Sequence, residues 1–160
     1  MAQSLTQSQS LAVASFDILP SHWRDLPSIR VLERACFGPD AWNWLELLSL
    51  LFSSGVRLKA VADGRLVGFV AGERHPAEQC AWIVTIGVLP DYQRRGIGAQ
   101  LLIESEAQLN MPAIKLTVRE SNHSALALYR KLGYAPQHSV PRYYSDGETG
   151  VVMEKILSNP

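Results

Sequence analysis

The chain has 160 residues, of which 47% are hydrophobic and 19% are charged, a composition typical of one globular domain rather than a disordered chain. Fifteen basic and fifteen acidic side chains give a formal net charge of zero, which argues against a protein devoted to binding nucleic acid or anionic membranes. Apolar runs stay shorter than the ~18 residues of a membrane span. Neither a nucleic acid nor a membrane is therefore expected as a partner.

The chain is predicted to consist of a short tail and a single domain. Residues 1–14 are rich in Gln and Ser, carry no charged side chain and lack the basic start of a signal peptide, so they are predicted to be flexible. Residues 15–158 contain no repeat, charge block or linker. Cys36 and Cys80 form neither a disulfide framework nor a CxxC metal site, so a reduced, cytoplasmic protein is expected.

The first third of the domain is predicted to be mainly helical. A short strand at residues 16–19 opens it, and Ser21 is predicted to cap the following helix. That helix carries an inward stripe at intervals of three, formed by Leu26, Ile29, Leu32 and Ala35. A second helix, over residues 42–52, is apolar nearly all round, so it must be covered on several sides or line a groove.

The rest of the domain is predicted to alternate between strands and helices. Three strands lie at residues 56–62, 66–72 and 82–88, and Asp63-Gly64 is a typical hairpin turn between the first two. Further elements follow in the order helix, strand, helix, strand, strand, at residues 99–110, 113–118, 123–132, 134–139 and 151–156, with Gly133 ending the second helix. This order predicts an α/β fold with one mixed, twisted sheet of about six to seven strands and helices on both faces.

The most informative segment is a basic loop between the third strand and the next helix, Gln93-Arg94-Arg95-Gly96-Ile97-Gly98-Ala99. Its glycines let the backbone approach a ligand closely, and the free amides and dipole of a helix start favour an anion. The loop lacks both the Gly-Lys-Ser/Thr of a Walker loop and the third glycine of the Rossmann fingerprint. It therefore predicts a pyrophosphate-sized anion site of another kind.

This loop resembles the (Arg/Gln)-x-x-Gly-x-(Gly/Ala) loop of the GNAT superfamily of acetyl-CoA-dependent N-acetyltransferases. Asn122, followed by the segment from Ala125 to Tyr134, is similar to the second signature of that superfamily. The segment from Arg142 to Glu148 resembles the closing hairpin of the bacterial ribosomal-protein-alanine acetyltransferases, which act on protein N-termini. The likeness covers residues 15 to 157 and implies the GNAT fold, acetyl-CoA as co-substrate and no metal.

The resemblance also implies roles for individual residues. It implies acetyl-CoA contacts from Ile86, Gly87, Val88, Gln93, Arg94, Arg95, Gly96, Ile97, Gly98, Ala99, Asn122 and Tyr129. By the same resemblance, the Val88 amide stabilises the oxyanion, and Tyr129 protonates the departing thiolate. From the residues alone, packing on a buried helix face is the favoured interpretation of Tyr129, and Asn122 has an alternative role as the cap of its helix.

On the acceptor side, the resemblance implies contacts from Phe37, Trp42, Thr117, Tyr143 and Tyr144. Thr117 stands where the ribosomal-protein-alanine enzymes have a glutamate that resembles a general base, so that carboxylate is absent. An α-amine has a pKa of about 7.8 and a lysine about 10.4, so the missing base matters less for an α-amine acceptor. Possible substitutes are interpreted as surface charges, namely Glu73, Glu120 and Glu148.

Three functions are open at this point. The first is direct acetyl transfer, in a ternary complex, to a protein N-terminal α-amine by a monomer or homodimer. The second keeps the fold and the co-substrate but uses a small amine, such as a polyamine, an amino acid or an antibiotic. The third is a non-catalytic module that binds acetyl-CoA.

Overall fold

The computed structural model describes residues 15–157, so the predicted tail at residues 1–14 lies outside the described residues. The strands are β1 (Asp17–Pro20), β2 (Gly55–Ala62), β3 (Arg65–His75), β4 (Cys80–Val88), β5 (Ala113–Arg119), β6 (Ala135–Val140) and β7 (Gly150–Ile156). The α-helices are α1 (Leu26–Phe37), α2 (Trp44–Phe52), α3 (Ile97–Leu109) and α4 (His123–Lys131). Among the described helices, none combines the length and apolar character needed to cross a membrane.

All seven strands form one mixed sheet in the order β1-β2-β3-β4-β5-β7-β6, which confirms the predicted α/β class. Only β4 and β5 pair in parallel, and every other neighbouring pair is antiparallel. The sequence order suggested successive crossovers, but β7 inserts between β5 and β6. The connection through α4 therefore skips one sheet position, which the last strand then fills.

Helices cover both faces of the sheet, and glycines let them approach closely. A Cβ placed on Gly87 of β4 would lie 3.0 Å from Leu32 of α1. A Cβ on Gly68 of β3 would lie 2.9 Å from Leu101 of α3. Gly68 pairs with Val88, one position along from Gly87, so the two glycines point to opposite faces. Helices α1 and α3 therefore pack on opposite sides of the two central strands.

The inward face of α1 differs from its prediction at one position. The predicted members Leu26, Ile29 and Leu32 are buried, but Ala35 is exposed. The buried face instead turns toward Glu33 and the half-buried Cys36, because a helix has 3.6 residues per turn and an interval of three drifts off the face.

The predicted cap at Ser21 is also wrong. A 3₁₀ turn at Trp23–Asp25 precedes α1, and the Asp25 carboxylate accepts the backbone N–H of His22 at 2.8 Å. Asp25 also accepts a hydrogen bond from the Ser21 hydroxyl and pairs with Lys59 at 2.7 Å. Asp25 therefore fixes the 3₁₀ turn, and its side chain, at the N-cap of α1, makes no capping hydrogen bond to that helix.

Helix α2 begins two residues later than predicted. The Asn43 side chain accepts the backbone N–H groups of Leu45 and Glu46 at 2.9 and 3.0 Å and so caps the helix. Only one side of α2 is covered, by burial of Leu47 and Leu50. Apolar side chains remain exposed on another side, at Trp44, Leu45 and Phe52.

Candidate active site

The sheet opens between its two parallel central strands. β4 and β5 pair over three positions only, from Cys80–Ala113 to Trp82–Lys115, although β4 stays paired with β3 as far as Val88. The Leu89 N–H donates to the Val67 carbonyl of β3 at 2.8 Å, so the peptide groups of the preceding Val88 point toward the open edge. An extended ligand can hydrogen-bond to this edge as a further strand would.

A β-bulge shapes the open edge. Ala71 of β3 pairs with Thr85, and Gly72 pairs with Ile83, so Val84 is an additional residue in β4. Such a bulge bends its strand and increases the local twist. The part of β4 that contains Ile86, Gly87 and Val88 therefore leaves the direction of β5, and a gap forms.

The predicted anion loop lies at the end of this gap. Gly96 caps α3 with a φ of 83°, a left-handed conformation that favours glycine. A Cβ on Gly96 would meet no described atom within 4 Å, so the space beside Gly96 is open, whereas a Cβ on Gly98 would touch Leu128 and Val88 at 3.7 Å. The free amides of the first helical turn, at Ile97, Gly98 and Ala99, are available to an anion. Because the Ile97 side chain is buried, only its backbone can serve the predicted role.

Two polar side chains of the loop, Gln93 and Arg95, make hydrogen bonds within the protein. The Gln93 amide donates to the Val88 carbonyl at 3.0 Å. Arg95 donates to the Asp91 carbonyl at 2.8 Å and lies 4.9 Å from the centre of the Tyr92 ring. Arg94 is exposed and has a φ of 61°, an uncommon conformation for a side-chain-bearing residue. The loop therefore offers an anion its backbone amides, and the guanidinium groups of Arg94 and Arg95 belong to the same loop.

Helix α4 carries the other two residues predicted to contact acetyl-CoA. The Asn122 side chain accepts the Ala125 N–H at 3.1 Å, so the capping interpretation is correct. Tyr129 is buried, with 7% of its surface exposed, and its ring centre is 5.9 Å from that of Tyr134. Burial alone therefore fits both interpretations of Tyr129, packing on a buried helix face and protonation of the departing thiolate.

The Tyr129 hydroxyl is nevertheless distinct from that of its neighbour. Tyr134 donates to Glu106 at 2.7 Å, whereas no group within residues 15–157 holds the Tyr129 hydroxyl. Since no buried side-chain nitrogen or oxygen in that range lacks a partner, the Tyr129 hydroxyl oxygen is not fully enclosed. Burial, followed by the neighbouring Tyr144, raises the Tyr129 pKa, so the phenol keeps its proton at neutral pH.

Three of the predicted acceptor-side residues, Thr117, Tyr143 and Tyr144, lie close together. Tyr143 and Tyr144 pack edge to face with ring centres 5.0 Å apart. A Cβ on Gly150 would lie 2.8 Å from the Thr117 methyl carbon and 2.9 Å from the Tyr143 ring, so only glycine lets both approach β7. Phe37 is the last residue of α1, Trp42 lies between α1 and α2, and both are half-buried. Sequence reasoning missed the role of Gly150, because nothing local distinguishes this glycine.

Arg119 joins the two sides of the acceptor region. Its guanidinium pairs with Asp40 between α1 and α2, and with Asp146 (2.9 Å) and Glu148 between β6 and β7. It also lies 4.1 Å from the centre of the Tyr144 ring. We call this set of contacts the Arg119 bridge. Asp40 and Arg119 were not predicted as site residues, because 79 positions separate them in the sequence.

Two carboxyl groups of the bridge have lowered pKa values. The Ser145 hydroxyl and Arg119 lower the pKa of Asp40. Ser121 and Arg119 lower the pKa of Glu148. The interpretation of Glu148 as a solvated surface charge is therefore wrong, whereas Glu120 is exposed as expected.

A sheet that parts beside a helix start with free amides is the arrangement of an acetyltransferase that uses acetyl-CoA. The chain belongs to the acetyltransferase (GNAT) family, whose model matches residues 17–134. Members of this family use acetyl-CoA, and the predicted membership is thus confirmed.

Individual relatives agree with this placement. The chain is 33% identical over 143 residues to the [ribosomal protein bS18]-alanine N-acetyltransferase of Salmonella typhimurium, which covers 84% of this chain and 93% of that protein. It is 39% identical over 79 residues to an N-alpha-acetyltransferase of Saccharolobus solfataricus, and that match spans only 47% of each chain. The crystal structure of the ribosomal-protein-S18-alanine N-acetyltransferase from Escherichia coli superposes with a TM-score of 0.82 at 26% identity, covering 91% of this chain and 96% of that one.

Proposed function

We propose that this acetyltransferase acts on the α-amine of a protein N-terminus. The observation that carries the proposal is the Arg119 bridge, which closes the acceptor side around Tyr143 and Tyr144 opposite the open edge of β4. Three carboxylates surround one guanidinium there, so the local charge is negative and suits an acceptor that arrives as an ammonium ion. The names of the relatives, which include N-alpha-acetyltransferases, support the same acceptor class.

In the proposed arrangement, acetyl-CoA lies along Ile86, Gly87 and Val88, with its pyrophosphate at the amides that follow Gly96. The other expected contacts come from Gln93, Arg94, Arg95, Ile97, Gly98, Ala99, Asn122 and Tyr129. The open edge, the space beside Gly96 and the direction of the Val88 peptide groups fit an extended, anionic thioester. Phe37, Trp42, Thr117, Tyr143 and Tyr144 are assigned to the acceptor.

In the proposed reaction, the neutral amine attacks the thioester carbon. A C–N bond forms, the C–S bond breaks, and the amine proton passes to water. The Val88 N–H donates to the developing oxyanion, where a positioned donor has its largest effect. The Tyr129 hydroxyl gives its proton to the thiolate and regains one from solvent.

No thiol of the chain is suited to carry the acetyl group. Burial followed by the charge of Glu33 raises the pKa of Cys36 to about 11, and burial also raises the pKa of Cys80, the first residue of β4, so both thiols stay protonated. Thr117 likewise supplies no base. An α-amine needs little help because its pKa is about 7.8, so a useful fraction is neutral at physiological pH.

The test measures CoA release with three acceptor sets. These are peptides with a free N-terminal alanine, the same peptides with a blocked N-terminus and an internal lysine, and a panel of small amines. Release with free N-termini alone is expected. Release with small amines alone would refute the proposal, and acetyl-CoA binding without release on any acceptor would indicate a non-catalytic module.

Four other interpretations remain predictions. They are the extent of the domain to residue 158, the cytoplasmic setting, the monomeric or homodimeric state, and the lack of nucleic-acid or membrane partners. Size-exclusion chromatography with light scattering tests the oligomeric state directly.

A further inference from the structure

Glu33 is a fully buried carboxylate in a helix that otherwise buries apolar side chains. One of its oxygens accepts the Thr85 hydroxyl at 2.7 Å, and the other accepts the Trp42 backbone N–H at 3.5 Å. Burial raises its pKa, and these two hydrogen bonds oppose that effect. Burying such a group is costly even when it has partners, and an apolar side chain of similar size packs without that cost. Packing alone therefore does not explain why a glutamate occupies this position.

The partners of Glu33 belong to the two sides of the active site. Thr85 directly follows the bulged Val84 and precedes Val88 by three residues in β4. Trp42 belongs to the segment between α1 and α2 that also contains Asp40 of the Arg119 bridge. Glu33 thus lies between the strand assigned to acetyl-CoA and a segment assigned to the acceptor.

A second contact from α1 reaches the same strand. The Cys36 thiol donates to the Val88 carbonyl at 3.3 Å, three residues beyond Glu33 along the helix. Helix α1 therefore holds β4 on both sides of Gly87, through Thr85 and through Val88. The peptide group that is assigned to the oxyanion lies at the end of this held stretch.

We propose that Glu33 is a positioning residue that fixes the bulged end of β4 relative to the acceptor segment at Trp42. It acts through Thr85 and Trp42 and touches no reacting atom. The inference rests on the proposed function, because the two assigned sides must meet for an amine to reach the thioester. Its expected consequence is that acceptor use, rather than acetyl-CoA affinity, depends on this hydrogen-bonded carboxylate.

The test compares variants of the hydroxyl that Glu33 accepts. Thr85→Val keeps the side-chain shape and removes the donor, whereas Thr85→Ser keeps the donor. Glu33→Gln changes the side chain that accepts this hydroxyl while keeping its volume. A matched control is Glu106→Gln, since Glu106 is also buried and hydrogen-bonded, to Tyr134 and Lys155, on the helix of the opposite face.

Thr85→Val is expected to lower kcat/KM for the free-N-terminus peptide about fivefold, the equivalent of one ordinary hydrogen bond. Its acetyl-CoA Kd, measured by calorimetry, should stay within about twofold because the anion loop is unchanged. Thr85→Ser should retain wild-type kinetics. Glu33→Gln combined with Thr85→Val should be no worse than the more impaired single variant, since both act on the same hydrogen bond. Glu106→Gln should lower Tm without changing kcat/KM.

Two outcomes overturn the proposal, and they are distinguishable. If the wild-type protein acetylates the peptide and Thr85→Val lowers only Tm, as Glu106→Gln does, then Glu33 is merely structural and the proposed function stands. If the wild-type protein transfers no acetyl group to α-amines, the proposed function fails and this inference fails with it. If the Glu33→Gln protein does not fold, the comparison of Thr85→Val with Thr85→Ser decides between these outcomes.

Discussion

The two sides of the cleft are built from different chemical groups. The side assigned to acetyl-CoA consists mainly of backbone: the open edge of β4 and the amides that follow Gly96. The acceptor side consists of side chains, joined by Arg119 to carboxylates from two separate segments. A backbone site is specified by a short run of sequence, whereas a side-chain site is assembled from distant positions. A substitution that adds a side chain should therefore damage the acetyl-CoA side, whereas one that removes a side chain should damage the acceptor side.

The largest effect is expected from adding a side chain to the backbone-built side. Gly96→Glu or Gly98→Glu places a carboxylate where the pyrophosphate is proposed to bind, and acetyl-CoA affinity should fall about 1,000-fold. Calorimetric titration measures this loss. Gly64→Glu is a matched control for Gly96, because both glycines have positive φ and open space around them. Unchanged affinity in the Gly96 variant would refute the loop assignment.

The next largest effect is expected at the phenol between the two sides. Tyr129→Phe should lower kcat about 100-fold with little change in acetyl-CoA Kd, because only the proton donor is lost. Tyr134→Phe is the control, since it removes a neighbouring hydroxyl that Glu106 holds. It should lower Tm and leave kcat intact. Single-turnover kinetics separates these cases, and full activity of Tyr129→Phe would remove Tyr129 from the reaction.

An intermediate effect is expected from removing a group on the side-chain-built side. Arg119→Gln leaves Asp40 and Glu148 without their cation, so the KM of the acceptor peptide should rise about tenfold while acetyl-CoA binding persists. Arg119→Lys keeps the charge without the planar fork and should be milder. An equal loss of acetyl-CoA affinity would show that the two sides are not separable.

The same variant has a defined pH dependence. Because the pKa values of Asp40 and Glu148 are lowered in the folded protein, the bridge contributes stability above the ordinary carboxyl range. That contribution is lost as the pH falls through the lowered values. The Tm difference between wild type and Arg119→Gln should therefore be constant near neutral pH and vanish in strong acid. A difference that grew on acidification would contradict the ionised bridge.

The smallest effect is expected from Thr117→Glu, which adds a carboxylate beside Tyr143. If the absent base limits turnover of strongly basic amines, activity on lysine relative to α-amines should rise about threefold. Competition between a free-N-terminus peptide and its N-blocked, lysine-containing counterpart measures the ratio. A ratio that stays constant would mean that proton removal does not limit either reaction.

Much of the fold could be predicted because it depends on local signals. Asp63 and Gly64 both adopt positive φ, as their hairpin turn requires, and Gly133 follows α4 in the same conformation. The insertion of β7 between β5 and β6 could not be predicted, because strand order depends on pairing between distant segments. The burial of Glu33 could not be predicted either, since an isolated carboxylate in an amphipathic helix is normally exposed.

The site divides in the same way. The Gly96–Gly98 loop was found from seven consecutive residues, because consecutive amides form it. The Arg119 bridge needs Asp40, Arg119 and Glu148, and each of these charges alone is typical of a protein surface. Its one local signal is the run from Arg142 to Glu148, which pointed to a closing hairpin but not to the charges that hold it.

The parting of β4 from β5 has a consequence for the energetics of the whole sheet. A thioester that binds along the edge of β4 satisfies peptide groups that in other sheets would face a neighbouring strand. Ligand binding then adds to the stability of the folded state in proportion to the logarithm of ligand concentration. In the proposed arrangement, amide hydrogen exchange at Ile86, Gly87 and Val88 reports cofactor supply, and a metabolite completes the central strand of the fold.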